Sequence, residues 1–185
     1  MVIEPVSLVD DIVLRLATEQ DTEALLAACL RNRDHLARWE PRRPEEFFTV
    51  AGQARRLEAL LDQQARNQAV AWVLADGERI VGRMTLNDIV RGPFLNAHLG
   101  YWIDAGHTGR GLATQAVLEV CRIADQELGL HRIAAGTLLD NVASQSVLRK
   151  AGFEQFGTAP RYLEIDGRWQ DHRLFQLILN DRPAF

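Results

Sequence analysis

The 185-residue chain is poor in cysteine, nearly devoid of lysine, and has no long apolar run. Its two cysteines, Cys29 and Cys121, lie in helical apolar patterns; they offer neither a disulfide framework nor a zinc spacing, and buried reduced thiols are expected. His35, His107 and His131 show no metal-ligand spacing, so no metal is expected. No apolar stretch approaches the roughly 18–20 residues of a membrane helix, and no charged-then-apolar leader opens the chain. A formal charge of −4 gives no reason to expect direct nucleic-acid binding. Repeats, low-complexity tracts and linkers are also missing. A single cytoplasmic domain spanning residues 1–185, with its core at about 12–180, is the simplest expectation. Monomer and homodimer both remain open. Basic residues are almost all arginine, with Lys150 the one lysine, and no mechanism attaches to that bias at this stage.

What is present is a mixed succession of strand and helix patterns in a chain that is 47% hydrophobic and 25% charged. A first strand is expected at 12–16, followed by a helical pattern through Leu25, Leu26 and Leu30 with Thr18 as its N-cap. Pro41 and Pro44 break the chain after Trp39, and a second helix is expected from about Glu45 to Arg66. Residues 69–75 and 79–90 read as strands joined at Asp76-Gly77. A strand at 97–103 follows. The helix after Gly111 lays Leu112, Ala116, Val117 and Val120 along one apolar face. Strand 132–138, a short helix 142–150 closed by Gly152, and a hairpin of 153–165 with 169–179 through Asp166-Gly167 complete the pattern. The predicted fold class is α/β: a mixed, mostly antiparallel sheet of about seven strands with helices on both faces.

The connection between strand 97–103 and the next helix carries the chemistry. It reads Asp104-Ala105-Gly106-His107-Thr108-Gly109-Arg110-Gly111-Leu112-Ala113-Thr114. A helix start leaves about four N–H groups without intrahelical partners and adds roughly half a positive charge, and glycines there let a phosphate approach the backbone. A tight connection with no ligand is the plain alternative. The dinucleotide fingerprint nearly matches Gly109-x-Gly111-x-x-Thr114, but the third glycine is missing and the motif lies mid-chain. The acidic residues downstream, Asp125 and Glu127, also fall inside the helix. A P-loop would need a Gly-Lys-Ser/Thr ending that is absent.

Beyond the next strand stand Asp140-Asn141-Val142-Ala143-Ser144 and then Arg149-Lys150-Ala151-Gly152-Phe153. With the glycine loop, these residues resemble the GNAT superfamily of acyl-coenzyme A N-acyltransferases. Leu128 through Ile133, Asn141 with Ser144, and Tyr162 through His172 are similar to its ribosomal-protein-alanine N-acetyltransferase branch. The resemblance spans about residues 12–180 and is densest after Leu99. It implies acetyl-coenzyme A as cosubstrate, lying where the parallel strands 97–103 and 132–138 splay apart. The acceptor it implies is a primary amine, foremost the N-terminal amine of a ribosomal protein. A small amine such as an antibiotic or polyamine is the alternative, and a catalytically silent coenzyme A-binding module is a third reading.

The resemblance also assigns residues. Cofactor contacts fall on Ile103, Thr108, Gly109, Arg110, Gly111, Leu112, Ala113, Thr114, Asn141 and Ser144, although Thr108 departs from the family's usual glutamine or arginine. Asn141 has two compatible roles, a helix cap and a polar contact to the cofactor. Ser144 is the candidate hydroxyl for the departing thiolate, since Leu148 stands where many members carry a tyrosine. His98 is the candidate base, in the strand position where many relatives have glutamate. Trp39, Glu40, Trp102 and Trp169 are candidate acceptor-site residues, and Glu40, Glu45 and Glu46 form an acidic run suited to a cationic amine. Asp171 and His172 are strand neighbours whose side chains point to opposite faces, so they form no dyad.

Overall fold

Two aspartate–glycine turns set the meander. Gly77 (φ 57°) lets Val70–Asp76 (β3) fold back as Arg79–Val90 (β4), and Asp166 (φ 48°) with Gly167 (φ 74°) returns Glu154–Ile165 (β7) as Arg168–Ile178 (β8). The structure is a computed structural model and describes residues 3–184. Its other strands are Val6–Ser7 (β1), Val13–Leu16 (β2), Asn96–Ile103 (β5) and Arg132–Leu138 (β6). They form one sheet of order β1-β2-β3-β4-β5-β6-β8-β7, antiparallel throughout except between β5 and β6. The eighth strand, beyond the seven or so anticipated, is β1; two residues are too few to carry an alternating pattern.

Helices cover both faces, as the pattern predicts. Thr22–Arg31 (α1) and Val50–Ala65 (α3) place Leu25, Ala28 and Leu57 against Ala71, Val73, Ile80 and Trp102. The short helix Arg33–Ala37 (α2) extends this layer. On the opposite face Leu112–Gln126 (α4) and Val142–Lys150 (α5) bury Leu112, Ala116, Val120 and Leu148 against Trp72, Met84, Leu99 and Ile133. β3 is buried from Val70 to Ala75, which is why it reads as a continuous apolar run and not an alternation. The single helix expected from Glu45 to Arg66 is instead a 3-10 turn, Glu45–Phe48, followed by α3. Thr49 adopts an extended conformation between them and its hydroxyl accepts the Gly52 N–H at 3.0 Å, a cap that competes with helix continuation.

The parallel pairing is short. β5 and β6 are in register only at Asn96↔Arg132, Ala97↔Ile133 and His98↔Ala134. Past that point β5 stays with β4 as far as Ile103↔Gly82, while β6 stays with β8 as far as Leu138↔His172. The two strands therefore diverge.

Asp104, 2% exposed, fixes the far end of β5. Its carboxylate accepts from Arg31 Nε at 2.6 Å, Asn32 Nδ2 at 3.1 Å and the Gly106 N–H at 2.9 Å, and its own N–H donates to the Val81 carbonyl at 2.7 Å. Burial opposes its ionisation, but the donors from Asn32, Arg31 and Gly106 outweigh that cost and hold the carboxyl well below the usual carboxylate range. A carboxyl depressed in the folded state stabilises above its unfolded pKa and loses that contribution as pH falls through the folded value. Asp104→Ala is expected to cost about 3 kcal/mol at neutral pH, because it strands the Arg31 charge. In denaturant titrations the gap to the wild type should narrow below about pH 4; a gap independent of pH would refute the anchoring role.

Candidate functional site

The divergence opens a cleft of about 1040 Å³ through the sheet. From the α4 face it is lined by Leu99, Tyr101, Ile103, the loop residues before α4, and Asn141, Ser144 and Val147 of the α5 region. From the α1/α3 face it is lined by Trp39, Glu40, Arg43, Arg56, Arg83, Trp102 and His172. The two ends meet where the strands part.

At the first end, Gly111 caps α4 in the left-handed region (φ 84°), and no side chain fills its cap position. The first helical bond there runs from Gln115 N–H to the Gly111 carbonyl. Among the described residues, the N–H groups of Gly109 through Thr114 find no acceptor. A Cβ built on Gly109 or Gly111 would meet nothing within 4 Å, so the space above the loop is open. Unpaired donors, a helix N-terminus and open space together suit a diphosphate. Ile103, Thr108, Gly109, Gly111, Leu112, Ala113 and Thr114, the expected cofactor contacts, all line the cleft. The Thr108 hydroxyl donates to the Ala105 carbonyl at 3.0 Å and so shapes the turn. Arg110 departs from expectation: it is absent from the lining, and its guanidinium lies 3.8 Å from Asp10.

Asn141 caps α5 by accepting the Ser144 N–H at 3.0 Å, and it also borders the cleft, so its capping role is realised. Ser144 Oγ lies 2.9 Å from the Tyr101 hydroxyl. Burial pushes the Tyr101 hydroxyl up to about 12, with the Ser144 hydrogen bond partly offsetting it. Leu148 occupies the α5 position where the resemblance implies a tyrosine, and Tyr101 of β5 brings a phenol to the cleft from another element. Its signal in the sequence is parity, because Leu99, Tyr101 and Ile103 share the β5 side that faces α4 and α5.

Besides Arg110, two candidate residues do not join the cleft. His98 occupies the last position at which β5 is still paired on both edges, and its Nδ1 lies 3.7 Å from Asp88. Trp169 is 64% exposed on β8 and points the same way as Asp171, away from His172. The expected opposition of Asp171 and His172 holds. Asp171 accepts the Arg161 N–H at 2.9 Å, while His172 is 4% exposed, directs Nδ1 at the Gln170 carbonyl (3.0 Å) and packs against Tyr162. Of these two histidines, His172 and not His98 borders the cleft.

The acidic run does not present free carboxylates. Glu45 pairs with Arg33, Glu46 with Arg55, and Glu40 lies 3.5 Å from Arg43. Trp39, Glu40 and Trp102 line the cleft, but their neighbours are arginines.

Comparison with known proteins agrees with this geometry. Residues 11–154 match the acetyltransferase (GNAT) domain. The probable N-acetyltransferase YjcK of Bacillus subtilis is 34% identical over 87% of this chain and 90% of its own length. The ribosomal protein uS5-alanine N-acetyltransferase of Escherichia coli is 33% identical over 93% and 90%. The crystal structure of a ribosomal-protein-S5-alanine acetyltransferase from Vibrio fischeri superposes with a TM-score of 0.92 at 34% identity, covering 96% of this chain and 98% of its own. That of Mycobacterium smegmatis RimJ in complex with CoA-disulfide gives 0.86 at 29% identity, covering 94% and 85%.

Replacing Gly111 by alanine forces a side chain into the left-handed region at about 1–2 kcal/mol. Coenzyme A affinity measured by calorimetry is expected to fall about tenfold with the far-UV spectrum unchanged; wild-type affinity would remove the loop conformation from ligand binding.

Proposed function

The chain belongs to the GNAT acetyltransferase family, and from that premise we propose that it acetylates the N-terminal α-amine of a ribosomal protein, with acetyl-coenzyme A as donor. The observation that carries the donor assignment is the pairing of unsatisfied amides at 109–114 with the divergence of β5 and β6. Strand edges left unpaired by the divergence suit the amides of a pantetheine arm, which would complete the sheet as a strand does. For the acceptor, support comes from the uS5-alanine relatives, alike over nearly their whole length. The guanidiniums at its acceptor end disfavour a polyamine. A ribosomal acceptor would place the reaction in the cytoplasm; no helix among the described residues is long and apolar enough to cross a membrane.

Acetyl-coenzyme A supplies an activated thioester; the protein's part is to orient the two reactants and manage protons. An α-amine, with pKa about 7.7–8.0 against about 10.4 for lysine, is appreciably neutral at physiological pH and needs no strongly tuned base. With its Nδ1 donating to Gln170, the imidazole of His172 keeps Nε2 as an acceptor for the amine's proton, directly or through water. On the other side, the Ser144 and Tyr101 hydroxyls form a coupled donor for the thiolate that leaves. Tyr101 holds its proton to about pH 12 and can replenish Ser144 throughout the working range.

Thiol release with acetyl-coenzyme A and an alanine-initiated peptide is the primary test, joined to mass spectrometry of ribosomal proteins with and without this protein. Ser144→Ala and Tyr101→Phe should each lower kcat by about a hundredfold while leaving the acetyl-coenzyme A KM within about threefold. Wild-type kcat should persist to about pH 10, where an ordinary tyrosine is half ionised. Loss of activity there, unaccompanied by unfolding, would contradict the Tyr101 role, and absence of any α-amine acetylation would overturn the acceptor assignment.

A further inference from the structure

The acceptor end of the cleft holds three guanidiniums, Arg43, Arg56 and Arg83, and one carboxylate, Glu40. Glu40 is committed to Arg43 at 3.5 Å. Arg56 lies over the Phe47 ring, 4.9 Å from its centroid. Among the described residues, neither Arg56 nor Arg83 forms an ion pair or donates a side-chain hydrogen bond. The charge of Glu40 also supports Arg56 and Arg83, but one carboxylate against three half-buried guanidiniums is uncommon, because each pays for lost hydration and for the like charge next to it. Burial first, then the charges of Arg83 and Arg43, hold Arg56 down to about 9, and burial also lowers Arg83. Arg56, at about 9, keeps its proton at neutral pH, and a guanidinium is not deprotonated in proteins.

Their location separates them from the diphosphate loop. Arg83 is the register partner of Trp102, so the two side chains share a face, and Trp102 packs in the α1/α3 layer. Arg56 projects from α3 into the same end. The loop before α4 sits on the opposite face, where Leu112 enters the other core. The unbalanced positive charge therefore faces whatever enters from the acceptor side.

We propose that the acceptor carries a carboxylate close to the amine that is acetylated, and that Arg56 and Arg83 are the residues that bind it. This rests on the acetyltransferase reading above and refines its substrate: the N-terminus is followed within a residue or so by an acidic side chain. A planar guanidinium fork binds a carboxylate through two parallel hydrogen bonds, and two forks in one desolvated pocket discriminate strongly between glutamate and glutamine. The free α-carboxylate of an amino acid offers the same chemistry.

The test compares C-terminally amidated Ala-Glu, Ala-Gln and Ala-Lys peptides, and free alanine against alaninamide. Each is measured by thiol release and, independently, by calorimetric binding to the protein loaded with coenzyme A. Ala-Glu should be favoured over Ala-Gln by at least about tenfold in both readouts. Arg83→Gln and Arg56→Gln should each reduce that preference to about twofold or less. If one glutamine variant fails to fold, the other decides the matter. A preference confined to free alanine over alaninamide, lost in the same variants, supports the carboxylate site and removes the protein N-terminus as substrate. Charge-dependent binding without thiol release keeps the site and refutes the transfer reading. Equal binding of Ala-Glu and Ala-Gln, or a preference unchanged in both glutamine variants, overturns the inference whatever the turnover.

Discussion

The parting of β5 from β6 after three paired residues is the constraint on which everything else depends. Backbone N–H and C=O groups in a sheet interior are normally paired, so strands that part leave their facing edges without partners and must be held apart from their other edges. Here each is held. β5 remains in register with β4 to its last residue, and Asp104 immediately beyond ties that end to Val81, Arg31 and Asn32. β6 remains in register with β8 along its whole length. The sheet behaves as two antiparallel halves joined by a short parallel seam. Tyr101 of one half and Ser144, just beyond the end of the other, meet at 2.9 Å beside the opening.

A gap of this kind divides labour by face. The α4 face offers unpaired amides at a helix start, suited to an anionic cofactor, and the paired hydroxyls. The α1/α3 face offers aromatic walls, the buried His172 and the unbalanced arginines. Two reactants entering from opposite sides meet at the seam without competing for one mouth. Orientation then contributes a large share of the rate, and the acid–base demands on individual residues stay modest, particularly for an α-amine.

The division also accounts for what could be read beforehand. Strand Arg132–Leu138 and helix Val142–Lys150 were legible to the residue, because apolar periodicity, the Asn141 cap and the Gly152 stop are local signals. The glycine loop was legible for the same reason: its chemistry belongs to consecutive backbone amides. The acceptor end was not. Arg56, Arg83, Trp102 and His172 arrive from α3, β4, β5 and β8, and only the sheet order brings them together. His98 is still within the paired seam and does not line the cleft, while Tyr101, three residues along and of opposite parity, does. The break at Thr49 was missed because a single threonine hydroxyl decides between one long helix and two elements.

The arginine bias, mute in the composition, acquires a physical sense at the acceptor end. Three cations crowd one desolvated pocket with a single carboxylate among them. A lysine placed there would start from a pKa near 10.4, and burial with two like-charged neighbours would drive it toward neutrality. Arginine starts higher: even the depressed Arg56, at about 9, keeps its proton at physiological pH. The pocket can therefore stay net positive while half-buried with Glu40 as its one carboxylate, the condition that the proposed binding of an acceptor carboxylate requires. In this protein the choice of arginine over lysine is thus an electrostatic requirement at Arg56 and Arg83.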